Sequence, residues 1–209
     1  MNDKYKWFLI APAIIIILAL GFFIHRLVAG GDNSANADQQ QNQAVQAQID
    51  NTQQQADGYQ DLVTRNPQDT QSLKGLADAY VAIGDLQTEA GKANDASVSY
   101  KKAVDTYRQS LAVKDDPDLR IDLAWAYYEM SMYDVAVREL QTSTTQAPAN
   151  QRAWLTLGYV YANIDQLSKA KDCWTKAQNI NPNSAVGQEA KKFLDQSASG
   201  SLTPPTRQP

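Results

Sequence analysis

Trp154, Leu157, Gly158 and Tyr161, followed by Ala170, Trp174 and Ala177 and then by Pro182, constrain this chain more than any other feature of it. The first four recur at spacings of three and four, so they share one face of a helix, and the next three do the same on a second helix. Gly158 has no side chain, which lets a neighbouring helix come close, while Ala170 and Ala177 leave slots for the large rings opposite. Pro182 cannot continue the second helix and marks its end. Residues 151–184 therefore predict a helical hairpin with interlocking small and aromatic residues.

The pattern returns one period upstream. Pro148 stands where Pro182 stands, Leu123-Ala124 where Leu157-Gly158 stands, Tyr127 matches Tyr161, and Ala136, Leu140 and Ser143 fill the slots of Ala170, Trp174 and Ala177. The copy at 117–150 is looser, with Arg120 in place of the tryptophan and Ser143 in place of an alanine. Its start is marked by Asp116 as a helix cap and Pro117 in the first turn. A third copy is irregular. Leu73, Leu76, Ala77 and Tyr80 match the opening helix and Ala96, Tyr100 and Ala103 the second, but an insertion separates Tyr80 from Ala96. Two helices lengthened together, over about 69–90 and 93–113, account for this, since each extension gives the other a partner for its apolar face. A turn at Gly84-Asp85, with 86–91 as a loop, is the competing reading.

The residues Trp154, Leu157-Gly158, Tyr161, Ala170, Trp174, Ala177 and Pro182 resemble the signature of a tetratricopeptide repeat, with every slot suitably filled. The resemblance implies an all-α solenoid of helical hairpins. The domain at 44–196 is then a half-repeat at 44–66, an extended repeat at 70–113, repeats at 117–150 and 151–184, and a capping helix at 185–196. Val45, Ile49, Thr52, Ala56, Tyr59, Leu62 and Val63 supply the stripe of the first helix. Val186, Ala190, Phe193 and Leu194 supply that of the last, whose polar back suits the end of a solenoid.

The N-terminus carries a different signal. The run from Trp7 to Ile24 holds no charged residue. Allowing Arg26 to snorkel, a helix over 7–29 would be roughly 35 Å long and cross a bilayer. Lys4 and Lys6 precede it and Arg26 alone follows, so the positive-inside rule places residues 1–6 in the cytoplasm and the repeats outside it. A cleaved signal peptide ending before Gly31 is the rival reading, although the apolar stretch exceeds the usual length and Arg26 sits close to the cut. Both readings export the repeats. Residues 30–43 hold no large apolar residue and are expected to be a flexible linker, and 197–209, with three prolines, a disordered tail.

Charge and chemistry exclude more than they indicate. The chain carries −4; residues 1–29 contribute +2 (Lys4, Lys6 and Arg26 against Asp3), which leaves −6 for the rest and no basic stripe for nucleic acid. The single histidine, His25, lies at the membrane boundary, and the single cysteine, Cys173, has no partner for an intramolecular disulfide. No metal spacing, nucleophile pair or phosphate loop occurs, so neither an enzyme nor a cofactor is expected.

Binding is the expected role. By resemblance, the first helices of successive repeats line a concave groove that holds a peptide. The groove positions are Leu155, Tyr159, Ala162 and Asn163 with Arg152 at the rim in the last repeat. They are Ile121, Trp125, Tyr128 and Glu129 with Asp118 at the rim in the middle one, and Lys74, Asp78, Val81 and Ala82 in the first. Trp125, Tyr128 and Tyr159 are surplus to the fold's own packing slots. Each taken alone is equally consistent with packing against an adjacent helix; together, on adjacent repeats and one face, they suggest an apolar and aromatic groove. The carboxylate clamp of chaperone-binding members is not expected, because its slots hold Lys74, Asp78, Asp122, Arg152 and Thr156, two of them acidic. These features point to a single-pass bacterial inner-membrane protein presenting a scaffold or assembly factor on the extracytoplasmic side. The alternatives are a self-associating homodimeric envelope module and a regulatory subunit of a membrane enzyme or of cytochrome c maturation machinery.

Overall fold

The structure, a computed structural model, describes residues 34–200 and 202. The segments expected in the membrane (Trp7 to Ile24) and at the cytoplasmic N-terminus lie outside those residues, as does most of the expected tail. Among the described residues no helix is long and apolar enough to cross a membrane. They form eight helices and no strand: α1 Ser34–Arg65, α2 Thr70–Glu89, α3 Ala93–Val113, α4 Pro117–Glu129, α5 Tyr133–Gln146, α6 Gln151–Asn163, α7 Leu167–Ile180 and α8 Ala185–Ser199. The chain divides into two compact units between Ala44 and Val45. In the first, the described residues 34–44 are helical. The repeats occupy the second.

Three hairpins, α2–α3, α4–α5 and α6–α7, are closed by the same turn. In each, one residue takes a left-handed conformation: Gly91 (φ 72°), Ser131 (φ 59°) and Asp165 (φ 59°). The next amide then reaches back to a carbonyl in the last helical turn, from Lys92 to Gln87 (2.8 Å), from Met132 to Tyr127 (2.9 Å) and from Gln166 to Tyr161 (2.9 Å). This satisfies carbonyls the helix end would leave without donors. The first helix of each hairpin starts on a side-chain cap instead. Asp69, Asp116 and Asn150 accept from amides of the first turn, and Ser184 does the same for α8. Asp116, Asn150 and Ser184 are evenly spaced, at the same interval that separates Pro148 from Pro182.

The long hairpin is built as the paired insertions predict. α2 runs on through Gly84, where a Cβ would lie 2.6 Å from the Tyr100 ring, so the glycine admits the ring instead of making a turn. Beyond it, the Tyr100 hydroxyl donates to Asp85 at 2.8 Å, and Ser99 donates to Gln87 at 2.7 Å, tying the added turns of α3 to those of α2.

Two apolar clusters fill the repeat unit. One runs from Ala77 and Val81 through Tyr107, Ile121, Leu123, Leu140 and Leu157 to Trp174 and Phe193. The other joins Val45, Ile49, Ala56 and Val63 of α1 to Leu73, Leu76, Ala79 and Ile83 of α2. Two end assignments change. Helix α1 starts at Ser34, inside the stretch expected as a linker: residues 34–43 contain no glycine or proline and are rich in alanine and glutamine, which hold helical geometry at little cost. Helix α8 continues to Ser199, where Gly200 (φ 70°) ends it and the Ser197 hydroxyl bonds the Leu194 carbonyl, so the first residues of the expected tail are helical.

Candidate functional site

Helices α2, α4 and α6 are the first helices of their hairpins, and their shared face is crossed by a line of charges. Asp122 of α4 stands in the middle with a side chain only 12% exposed. Lys74 of α2 approaches one of its oxygens (3.0 Å to Oδ2) and Arg152 of α6 the other (3.2 Å to Oδ1). Lys74 also pairs with Asp78 one turn along its own helix (2.8 Å), and Arg152 donates to the backbone carbonyl of Asp118 (3.2 Å). The carboxylates are fixed from the far side too. Tyr107 donates to Asp78 at 2.6 Å and Asn150 to Asp118 at 2.7 Å. Asp122 Oδ2 is buried without an aligned hydrogen bond, so the charge of Lys74 is what compensates it. Burial pulls the Lys74 ammonium down, but Asp122 and Asp78 outweigh it and leave the amine above its ordinary pKa. A cleft of about 230 Å³ opens beside this line, bounded by Gln71, Lys74, Lys114, Asp116 and Asp118.

Next to the charges lies a ladder of rings. Trp125 meets Tyr128 edge to face (centroids 5.2 Å apart) and tilts against Tyr159 (6.1 Å), and Tyr159 meets Phe193 of α8 edge to face (5.0 Å). Phe193 in turn stacks on Trp174 at 5.3 Å. The Tyr159 hydroxyl donates to Glu189 of α8. Burial, with Glu189 adding to it, pushes that phenol well above its ordinary pKa, and burial also raises Tyr128.

The expected groove residues therefore divide. Lys74, Asp78, Ala82, Tyr128, Glu129, Arg152, Ala162 and Asn163 are exposed or partly exposed, as is Asp118 at the rim. Ile121, Trp125, Leu155, Tyr159 and Val81 are buried. The surplus aromatics do not form an open aromatic groove: Trp125 and Tyr159 are 9% and 5% exposed, because α8 brings Phe193 and Glu189 onto Tyr159, while Tyr159 and Tyr128 pack against Trp125. Of the three, Tyr128 alone keeps an accessible surface. Asn163 turns its amide onto the Tyr159 carbonyl (2.9 Å).

In sequence Asp122 reads only as an acidic residue opposing a clamp. Glu189 and Phe193 carry no signal beyond the stripe of the last helix. Among the described residues no three His, Cys, Asp or Glu are grouped to hold a metal ion.

The sequence profile of the tetratricopeptide repeat matches residues 151–184, the segment with the most complete signature. No curated protein matches the chain. Among solved structures, BtubC (BKLC) from P. vanneervenii is similar at 17% identity with a TM-score of 0.55, over 76% of this chain and 67% of that one. A MamA double mutant (MamA RS-1 ArsTM) is similar at 19% identity with a TM-score of 0.54, over 82% of this chain and 92% of that one. At such identity the likeness is one of fold. Residues 151–184 thus match a tetratricopeptide repeat, and the described residues around them share its helical-hairpin architecture.

Proposed function

We propose that this protein is a membrane-anchored scaffold or assembly factor that holds a partner polypeptide on the shared face of α2, α4 and α6, outside the cytoplasm. The observation that carries the reading is the row of accessible side chains on that face. Lys74, Asp78, Tyr128, Glu129, Arg152 and Asn163 come from three successive repeats and lie over a floor already packed by Ile121, Trp125, Leu155 and Tyr159. A floor that is rigid and sealed, with a rim of polar groups and one accessible ring, holds a ligand without having to order itself first. The anchor rests on the uncharged run from Trp7 to Ile24, and the side of the membrane on Lys4 and Lys6 before it.

Two measurements test this. Changing Tyr128 and Arg152 together to alanine should abolish co-purification of the native partner while helix content and mass in solution stay as in the parent. Loss of a dimer on that change would instead favour self-association. An alkaline phosphatase fused after Pro209 should be active, and an inactive fusion would refute export.

A further inference from the structure

The polar rim is not neutral in its preferences, and one residue sets them. We infer that Asp122 determines the charge specificity of the shared face: it occupies the carboxylate position between Lys74 and Arg152, so the face rejects anionic segments and selects partners bearing Lys or Arg. The inference rests on the binding role proposed above and adds the chemistry of the partner.

Two cations from different repeats converge on Asp122, at 3.0 and 3.2 Å, and both remain near half exposed on their outer sides, at 44% and 48%. Without Asp122 this would be a ready site for a carboxylate. With it, an incoming carboxylate must compete against one that is already in place, tethered to α4 and largely desolvated. Displacing it would also strand a buried charge. The remaining groups favour the opposite sign. Asp78, Asp118 and Asp122 stand against Lys74 and Arg152, an excess of one negative charge, and Asp78 and Asp118 are the accessible members, at 46% and 65%. A guanidinium or ammonium arriving from solvent meets one or other of those two carboxylates.

The test uses the full chain in detergent micelles and three fluorescent peptides of one apolar framework with blocked ends, carrying Lys, Glu or Gln at the variable positions. Anisotropy titrations should show the Lys peptide binding at least about tenfold more tightly than the Glu peptide, with a gap that narrows as salt rises. Asp122→Asn should erase or invert the ratio, and Lys74→Gln, a change at a half-exposed side chain, should widen it. The Lys74 variant keeps the test decisive if the Asp122 variant loses its helical circular dichroism. Equal binding of all three peptides, or a ratio that ignores both substitutions in folded protein, overturns the charge assignment and leaves the binding role standing. Binding of none overturns both.

Discussion

Gly158 and Trp174 interlock: a Cβ added at 158 would fall inside the indole of Trp174, which is fully buried between α6, α7 and α8. The glycine is what lets the largest side chain of the core lie flat against the α6 backbone. The ring is packed against Phe193 on its other side, so it has no room to retreat. Gly158→Ala should therefore cost about 1–3 kcal/mol through overpacking, despite alanine's better helix propensity. Trp174→Ala should cost about 3–5 kcal/mol. Urea unfolding followed by circular dichroism measures both, and a neutral Gly158→Ala would mean the indole is less confined than described.

The hairpin turns offer the opposite sign. Ser131 and Asp165 hold left-handed backbones that the first hairpin gives to Gly91. Both are exposed, so a side chain is not needed there for packing. Ser131→Gly and Asp165→Gly should each stabilise the protein by about 0.5–1 kcal/mol, the relief of left-handed strain less the added freedom of the unfolded chain. A rise in the urea midpoint at unchanged slope is the expected result.

Cys173 lies buried beside Trp174, and burial pushes its thiol up to about 11. It should react with a thiol reagent at pH 8 only as fast as the protein opens, and at full speed in denaturant. Prompt reaction in the folded protein would show that the buried face of α7 does not shield the thiol from solvent.

Alkaline stability follows from buried phenols. Burial raises both Tyr159 and Tyr100 above the usual tyrosine value, reinforced by Glu189 for the first and by Asp85 for the second, where the hydrogen bond to Thr88 opposes it. The folded protein thus keeps protons that the unfolded chain releases from about pH 10, and the Cys173 proton from about pH 8.5. Stability should be level up to that region and fall as pH rises through it. Tyr159→Phe should soften the fall while costing the hydrogen bond to Glu189 at neutral pH. A urea midpoint unchanged between pH 8 and 11 would contradict this.

What the sequence made legible was whatever repeats. The matched positions of Pro148 and Pro182 located two hairpins, and the matched insertions around Gly84 located the long one. Burial of the rings was not legible for a physical reason. Trp125 and Tyr159 occupy positions that face outward within their own hairpins; Phe193 and Glu189 on the last helix close over Tyr159, and Tyr159 with Tyr128 closes over Trp125. The start of α1 was hidden because residues 34–43 carry no periodic apolar stripe; local propensity alone makes them helical. The bridge through Asp122 links side chains of three separate hairpins, beyond any local pattern.

Site-specific photocrosslinking in the native membrane tests the central claim most directly. A photoreactive amino acid at Tyr128 or Arg152, on the shared face, should give one discrete protein adduct. The same group at Val98 or Met132, exposed on second helices and their turns, should give none. Adducts that form equally from all four positions, or only from Val98 and Met132, would contradict a partner held across α2, α4 and α6.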